Sequence, residues 1–303
     1  MNTILNNKLI SFILVSYNQE KYIEAALLSV LEQDYSNIEI IVSDDGSTDK
    51  TKDIIRSHHN DNFTFLDNKE NKGLIENLNI AFSYAKGEYV VAMAGDDISL
   101  PHRTSTIVKY FDDHPDVYCI YSNTIDIDSD NKEIISSSCG LKYNKRNGKM
   151  TVNSHILNDL GVLGCSAAYK QCLVDEPLPL SVPSEDKILT LRALLKGEVG
   201  FIHEPLVKYR LGTGISNNTN QRSLSQYIKR VHNIIRTYNG YLKDKSISTQ
   251  ISNDDIANID KVIKYNEIII SNIPFKFIRL ILFKKISIRE KIKSFYYLYI
   301  KRR

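Results

Sequence analysis

Two adjacent carboxylates near the end of the chain's first hundred residues have the types and the position of a metal site. Asp96 and Asp97 follow the apolar run VVAMAG, and the nearby Pro101 favours the first turn of a helix. Adjacent carboxylates repel each other, but a divalent cation turns that repulsion into attraction, and hard oxygen ligands suit Mg²⁺ or Mn²⁺. Because two side chains cannot enclose such an ion, waters and phosphate oxygens would complete its shell. The pair therefore favours a nucleotide diphosphate substrate over the alternative, a solvated turn.

A second acidic pair, Asp44 and Asp45, follows the apolar run at residues 38–42. In dinucleotide-binding folds an acid at this point holds a ribose, but that arrangement needs GxGxxG after the first strand. This chain has VSYNQE at residues 15–20 instead, and it contains no P-loop sequence. The pattern therefore favours nucleotide binding through carboxylates and a metal, without a glycine cradle.

The third acidic pair is Glu185 and Asp186. It lies in the first turn of an amphipathic helix predicted over residues 183–197, with Ser184 as the N-cap. Acids in a first turn complement the positive end of the helix dipole, which alone would account for one of them. The other interpretation is a functional role for the pair, and the pattern by itself leaves both open.

Alternating strands and helices in the first hundred residues would position these acids. Apolar runs predict strands at residues 9–15, 38–42, 63–66 and 88–93. Strand–helix–strand units of this kind imply an α/β fold, with a mostly parallel, Rossmann-like sheet flanked by helices. Ligands of such sheets bind beyond the carboxyl ends of the strands. The clusters SYNQE, SDDGSTD and GDD all follow such ends, so we expect them to converge on one rim.

The rest of the chain gives a more mixed pattern. Further strands are predicted at residues 117–122, 199–202 and 206–211, and residues 222–303 are predicted to be helical after a linker at 217–221. The stretch DIDSDNKE begins like a calcium loop, but Asn131 stands where that loop needs glycine. It is predicted to be a hairpin turn.

The charge is distributed unevenly. The 303 residues carry a net charge of +3, yet residues 272–303 hold ten Lys or Arg and one acid; subtracting these from 39 and 36 leaves 29 bases and 35 acids elsewhere. No nucleic-acid-binding face over the whole chain is therefore indicated. The four cysteines form no CxxC pair and are predicted to be free thiols in a reducing cytoplasm. No apolar stretch approaches the ~20 residues that span a bilayer.

The basic tail, residues 272–303, also contains the apolar segments FIRLILF and SFYYLYI. Five apolar residues approximate one helical face: Ile281, Ile288, Ile292, Phe295 and Tyr299. One interpretation is a helix that packs on the rest of the protein with a solvated basic side. The other, which we expect, is an interfacial helix on the anionic inner leaflet of the plasma membrane.

Several of these segments together resemble the family 2 glycosyltransferases, which have the GT-A fold. The stretch from Ile13 to Thr51 is similar to the opening pattern of that family, and residues 71–97 resemble its next block, which ends in an Asp-x-Asp-type metal motif. GCSAAYK, SEDKILTLRALLKG and EPLVKYR resemble weaker downstream blocks. The resemblance covers roughly residues 9–216 and includes bacterial enzymes of surface polysaccharide (O-antigen or capsule) synthesis.

The resemblance implies a role for each matching residue. The nucleoside pocket would be lined by Val15, Ser16, Tyr17 and Glu20, and Asp45 would bind the nucleobase with Asp44 close by. Asp96 would lie against the nucleotide sugar, and Asp97 would bind Mn²⁺ or Mg²⁺. Asp186 would be the general base, with Glu185 as a further site residue. It also implies a GT-A catalytic domain at residues 1–216, with a nucleotide-sugar half at 1–99 and an acceptor half at 100–216. Residues 217–303 would be a helical, basic C-terminal extension.

Two departures from the family pattern bear on function. Processive members carry Gln-x-x-Arg-Trp and membrane helices, whereas this chain has no Trp, which indicates a single-transfer enzyme. Many members have a histidine a few positions after YR, where this chain has Gly212 and Thr213. Arg210 is the candidate to make the phosphate contact of that histidine.

The resemblance implies an inverting, metal-dependent glycosyltransferase with a nucleotide-sugar donor, UDP-linked by preference. The acceptor would be a glycan on a polyprenyl lipid, and the enzyme would lie at the cytoplasmic membrane face. Two alternatives belong to other classes. A non-catalytic nucleotide- or glycan-binding module should lack the acidic pairs, which are present here. A nucleotidyltransferase should show a glycine-rich nucleotide loop with basic residues near the N-terminus, which is absent.

Overall fold

The computed structural model of the chain describes residues 8–59, 62–134, 149–212 and 224–272. Its strands are β1 (Ile10–Ser16), β2 (Ile38–Asp44), β3 (Thr64–Asp67), β4 (Tyr89–Ala94), β5 (Ile98–Ser99), β6 (Val117–Ile127), β7 (Ala168–Lys170) and β8 (Glu198–Arg210). Its helices are α1 (Ile23–Leu31), α2 (Thr51–Ser57), α3 (Leu74–Tyr84), α4 (Arg103–Asp113), α5 (Val152–Asn158), α6 (Asp186–Lys196), α7 (Leu224–Lys243), α8 (Lys245–Ser248) and α9 (Asn253–Asn272).

One eight-stranded sheet, in the order β3-β2-β1-β4-β7-β6-β8-β5, runs through the described part of the protein. β3, β2, β1 and β4 are parallel, whereas β7 pairs antiparallel with both β4 and β6. The register places Ser16 opposite Asp44, and Val15 opposite Ala94. The carboxyl ends of β1, β2 and β4 therefore meet at one rim, which confirms the predicted convergence of the polar clusters.

β1 is buried on both faces of this sheet. All seven of its residues are buried, and successive side chains point to opposite sides. Ile13 belongs to a core formed with α3, whereas Phe12 and Leu14 belong to a second core formed with α1 and α4. Burial on both faces is why the strand has an apolar run at residues 12–15 with no polar alternation.

The C-terminal helices pack into the first of these cores. Tyr238 and Tyr241 of α7 are buried there together with residues of α9. A fully buried ion pair joins Arg192 of α6 to Asp244 between α7 and α8, with an Nη2–Oδ2 distance of 2.6 Å. The part of the predicted extension that the structure describes is thus continuous with the core around α6. The proposed domain boundary stays a prediction.

The sequence interpretation differs from the structure at two points. The two strands predicted at 199–202 and 206–211 are one strand, β8, because the β6–β8 pairing shifts register where Asn123 faces Pro205. Such an irregularity accommodates a proline without ending the strand. Ser184 is not an N-cap: the cap position is Glu185, and the Ser184 hydroxyl donates to Asp186 Oδ1 at 2.6 Å. The predicted cap residue therefore orients an acid of the site.

No helix within the described ranges is both long enough and apolar enough to cross a membrane. The hairpin predicted at residues 126–133 is present: Ile127 bridges to Glu133, and Asp128 Oδ1 accepts the N–H groups of Asp130 and Lys132. The amphipathic pattern of residues 273–303 lies outside the described residues.

Candidate active site

The loop after β2 is built around Asp44. Its carboxylate is fully buried and accepts hydrogen bonds from Ser16 Oγ at 2.9 Å, Ser47 Oγ at 2.6 Å and Ser47 N at 2.7 Å. These bonds join the end of β1 to the turn after β2. The sequence placed Asp44 and Ser16 near the donor, and their mutual contacts indicate that Asp44 fixes the loop.

Asp45 connects the same loop to the segment before α3. Its two carboxylate oxygens accept the backbone N–H groups of Lys72 at 2.8 Å and Gly73 at 2.9 Å, and burial raises the pKa of Asp45. Gly46 follows with φ of +71°, and a Cβ there would lie 2.4 Å from the carbonyl carbon of Glu70. Only glycine fits this turn. Each carboxylate oxygen of Asp45 keeps a lone pair that can accept a further hydrogen bond, for example from the N–H of a nucleobase.

The loop after β1 is fastened to the loop after β2. The backbone of Asn18 has a φ of +50°, and its side-chain Oδ1 accepts the Thr48 N–H at 2.9 Å. Glu20 Oε2 accepts the Lys50 N–H at 3.0 Å. Val15 is packed in the core, whereas Tyr17 is 45% exposed at the rim. The exposed ring of Tyr17 could therefore stack on a nucleoside. Glu20, by contrast, fastens the two loops together through its bond to the Lys50 N–H.

Asp96 and Asp97 lie beside that loop and are nearly buried, at 7% and 3% exposure. The Gly95 N–H donates to Val15 O at 2.8 Å, and a Cβ at Gly95 would approach Gln19 Oε1 to 2.5 Å. Burial, and next the charge of Asp96, raise the pKa of Asp97 well above its usual range. The absence of a side chain at Gly95 is thus what allows the acidic turn to sit against the loop after β1.

Arg210, at the end of β8, holds the acidic turn. Its backbone N–H donates to Asp97 Oδ1 at 2.9 Å, and its Nε donates to Asp96 O at 2.8 Å. Nη1 and Nη2 donate to Asp128 O and to Asn131 Oδ1, each at 2.6 Å. Because the guanidinium is buried and engaged on all these sides, its contacts favour a positioning role. The phosphate contact suggested for Arg210 stays a prediction.

The residues at this turn fit a divalent cation that is shared with a substrate. Two adjacent carboxylates supply hard oxygen ligands, and their mutual repulsion together with burial would be relieved by a cation. Among the described residues, no group of three or more His, Cys, Asp or Glu is placed to hold a metal ion alone. Water and diphosphate oxygens would have to supply the other ligands, as the sequence interpretation expects.

The third acidic pair opens α6. Asp186 Oδ1 accepts from Ser184 Oγ and from the Lys187 N–H at 2.8 Å, whereas its Oδ2 has no hydrogen bond to the residues described. Glu185 lies against Gly164, where a Cβ would come within 2.7 Å of Glu185 Oε1. Burial, and next the charge of Asp186, raise the pKa of Glu185 to about 7. The pair therefore combines one oriented carboxylate with one that holds a proton near neutral pH.

Two residues that the sequence interpretation missed lie between the acidic centres. Arg103 is fully buried, and its Nη2 donates to the carbonyls of Cys165 at 3.0 Å and Ala167 at 3.3 Å. It interacts electrostatically with Asp97 and with Tyr169 of β7, and Tyr169 in turn interacts with Glu185 and Asp186. The only signal in the sequence was an arginine six positions after Asp97 and a tyrosine in GCSAAYK.

The chain is similar to glycosyltransferases in sequence. The family model for "Glycosyl transferase family 2" matches residues 11–176. An uncharacterised glycosyltransferase of Rickettsia typhi is 32% identical over 229 residues, 72% of this chain and 69% of that protein. WfgD of Escherichia coli, a UDP-Glc:alpha-D-GlcNAc-diphosphoundecaprenol beta-1,3-glucosyltransferase, is 29% identical over 71% of this chain and 82% of its own. The match to EpsE of Bacillus subtilis, 37% identical over 35% of this chain, spans 39% of that protein.

Solved structures share the fold. TarS 1–349 of S. aureus in complex with UDP-GlcNAc superposes with a TM-score of 0.60 at 20% identity, over 87% of this chain and 73% of that one. The mannosyltransferase PcManGT from Pyrobaculum calidifontis, in complex with GDP-Man and Mn2+, gives a TM-score of 0.56 at 19% identity, over 94% and 83%. The fold is of the GT-A type, and the protein is a glycosyltransferase. It belongs to glycosyl transferase family 2.

Proposed function

We propose that this protein is an inverting, metal-dependent glycosyltransferase that moves a sugar from a UDP-linked donor to a glycan acceptor on a polyprenyl lipid. The observation that carries the proposal is the position of the acidic groups. Asp97 and the pair Glu185–Asp186 come from distant parts of the sequence, yet two buried residues connect them electrostatically. Asp97 interacts with Arg103, Arg103 interacts with Tyr169, and Tyr169 interacts with both acids of the pair. This arrangement supports a reaction in which a metal-held diphosphate and a proton acceptor would lie in one region of the sheet.

UDP is the nucleotide that the comparisons favour. TarS was crystallised with UDP-GlcNAc, and the E. coli relatives WfgD and WfaP are named for UDP-Glc. Within this chain, the uracil would lie near Asp45, whose oxygens can each accept one more hydrogen bond. Tyr17, whose ring is exposed in the loop after β1, would stack on the uracil.

Asp186 would act as the general base. Its Oδ1 is held by Ser184 and by a backbone N–H, so its Oδ2 has a fixed direction and is open to an acceptor hydroxyl. Removing the hydroxyl proton lets the oxygen attack the anomeric carbon in line with the leaving diphosphate, which inverts the configuration. A Mn²⁺ or Mg²⁺ ion bound by Asp97, with Asp96 against the donor, would stabilise charge on the leaving group. Arg210 would keep the acidic turn in place, because it donates to the Asp97 carboxylate and to the backbone carbonyl of Asp96.

The acceptor and the cellular location are inferred from relatives and from the sequence of the tail. WfgD and WfaP act, by name, on a diphosphoundecaprenol-linked sugar. Synthesis of a surface polysaccharide such as O-antigen or capsule on the inner face of the plasma membrane would suit such an acceptor. Residues 272–303 would bind anionic lipid through their bases, each worth roughly 1 kcal/mol near such a surface. We further propose that residues 1–99 bind the donor, that residues 100–216 bind the acceptor, and that residues 217–303 form the extension.

A donor screen tests this function. Purified protein would be incubated with UDP-, GDP- and dTDP-sugars, a lipid-linked acceptor and Mn²⁺ or Mg²⁺, and nucleotide release would be measured. We expect release from a UDP-sugar that EDTA abolishes and added metal restores. Undiminished release in chelator would contradict the metal dependence, and release only from GDP- or dTDP-sugars would contradict the UDP assignment.

Vesicle binding tests the role of the tail separately. The full chain should bind vesicles that contain anionic lipid, and binding should weaken at high salt. A variant that lacks residues 272–303 should lose this binding while it keeps activity on a short soluble acceptor. Equal, weak binding to neutral and anionic vesicles would mean that the tail has a structural role only.

A further inference from the structure

Three buried polar atoms between the acidic centres have no hydrogen-bond partner among the described residues. They are Nε and Nη1 of Arg103 and the hydroxyl of Tyr169, and both side chains have 0% exposure. The third nitrogen of Arg103, Nη2, is occupied by the carbonyls of Ala92, Cys165 and Ala167. Nη2 is therefore bound to the fold, whereas Nε and Nη1 are each available to a further acceptor.

The surroundings of the Tyr169 hydroxyl are strongly charged. Tyr169 lies in the short strand β7, between β4 and β6, and its hydroxyl interacts electrostatically with Glu185, Asp186 and Arg103. Burial raises the pKa of Tyr169 well above its usual range, so the hydroxyl keeps its proton. A protonated phenol can donate one hydrogen bond and accept others. It is thus suited to accept from a guanidinium and donate to a carboxylate.

Buried polar groups of proteins are seldom left without a partner, and ordered water commonly supplies the missing bonds. No protein atom bonds directly to the Tyr169 hydroxyl in the described part of the chain, although donors and acceptors lie around it. Arg103 and Tyr169 are completely buried, whereas Glu185 and Asp186 are partly buried, and water is small enough to connect these groups. The connection would run from Arg103 to Tyr169 and on to the acidic pair at the start of α6.

We propose that Tyr169 is a positioning residue for the transfer reaction, and that ordered water connects its hydroxyl to the guanidinium of Arg103 on one side and to the carboxyl groups of Glu185 and Asp186 on the other. This inference rests on the proposed function of the acidic pair. The hydroxyl would restrain the pair in addition to Ser184, which already donates to Asp186. It would thereby keep the proton-accepting oxygen directed at the acceptor.

A packing role does not account for the hydroxyl. Phenylalanine would fill the same apolar space, since the Tyr169 ring belongs to a hydrophobic core. A buried hydroxyl without a protein partner carries a desolvation cost that phenylalanine would avoid. Other buried tyrosines of the protein have partners: the Tyr89 hydroxyl, for example, bonds to Lys8 and to Asp112.

The substitution Tyr169→Phe tests the proposal, with Tyr89→Phe as a matched control, because Tyr89 is a neighbour of Tyr169 in the sheet but packs in the other hydrophobic core. We expect Tyr169→Phe to keep or raise the Tm, to leave the KM for the donor within about twofold, and to lower kcat roughly 10- to 100-fold, the effect of a lost hydrogen bond to a charged group. Tyr89→Phe should do the reverse: it should lower the Tm, because it removes bonds to Lys8 and Asp112, and leave kcat unchanged.

Two results would overturn the proposal without touching the proposed function. The first is a Tyr169→Phe enzyme with wild-type kcat in an assay where the wild type is active and Asp186→Asn is not. The second is a high-resolution crystal structure of the wild-type protein that has no water between the Tyr169 hydroxyl and Glu185 or Asp186. This second measurement needs no substrate, so it decides the proposal even if the donor screen finds no activity.

Discussion

Replacing Glu185 with Gln should remove a pH dependence of stability that this one carboxyl imposes. Burial, and next the charge of Asp186, raise the pKa of Glu185 from 4.5 to about 7 in the folded protein. The folded state therefore holds a proton that the unfolded state loses as the pH rises above 4.5. A raised carboxyl pKa means that the free energy of unfolding falls with rising pH across this window and levels off above pH 7.

The size of the effect follows from the same values. Each pKa unit corresponds to about 1.4 kcal/mol, so a rise from 4.5 to about 7 lowers the stability of the wild type by about 3 kcal/mol between the two ends of the window. Glutamine resembles the protonated carboxyl and does not ionise. We therefore expect Glu185→Gln and the wild type to be similarly stable near pH 4.5, and the variant to be more stable by about 3 kcal/mol near pH 8.

Urea unfolding at several pH values between about 4.5 and 8, in metal-free buffer, measures this difference. Glu32→Gln is the matched control, because Glu32 is exposed just after α1 and away from the acidic pair. The control should follow the pH dependence of the wild type. The reasoning is refuted if the difference between Glu185→Gln and the wild type stays constant across the range, since Glu185 would then ionise alike in both states.

Three further substitutions have defined outcomes. Asp97→Asn should abolish Mn²⁺ binding, which electron paramagnetic resonance measures. It should keep the Tm, because the amide oxygen can still accept the Arg210 N–H at the end of β8. Unchanged Mn²⁺ affinity would contradict the metal assignment. Gly164→Ala should displace the Glu185 carboxylate and lower kcat. Gly161→Ala is its control and should be close to wild type, because a Cβ there would lie 3.4 Å from its nearest atom. Equal kcat values for both variants would count against the contact between Gly164 and Glu185. Asp244→Asn leaves the Arg192 guanidinium buried without its ion pair and should lower the free energy of unfolding, measured in urea, by about 3 kcal/mol. A decrease below about 1 kcal/mol would mean that the carbonyls around the guanidinium are sufficient to stabilise its charge.

The elements that carry the site could be predicted from the sequence because their burial leaves a local signature. β1 has four consecutive apolar residues at 12–15 and β2 has three at 40–42, because both strands are buried there, and the polar clusters follow directly. The parallel register then brings Ser16 opposite Asp44. Local pattern and sheet geometry together were sufficient for the rim.

The contacts that fix the site were not accessible in the same way. Arg103 and Tyr169 are 66 residues apart, and Arg210 reaches back to Asp97 over 113 residues, so no spacing rule relates them. Ser184 has the residue type of a helix cap, but the neighbouring carboxylate competes for its hydroxyl. Such choices depend on three-dimensional proximity and burial, which composition and periodicity do not encode.

The assignment of Asp186 as the general base is tested most directly by comparing UDP affinity with transfer in Asp186→Asn. Isothermal titration with UDP and Mn²⁺ would give the Kd, and nucleotide release with the lipid-linked acceptor would give kcat. We predict a Kd within about twofold of the wild type and a kcat lower by roughly 10²- to 10⁴-fold, the usual contribution of a general base. Loss of UDP binding with transfer retained would contradict this assignment and make Asp186 a structural residue of α6.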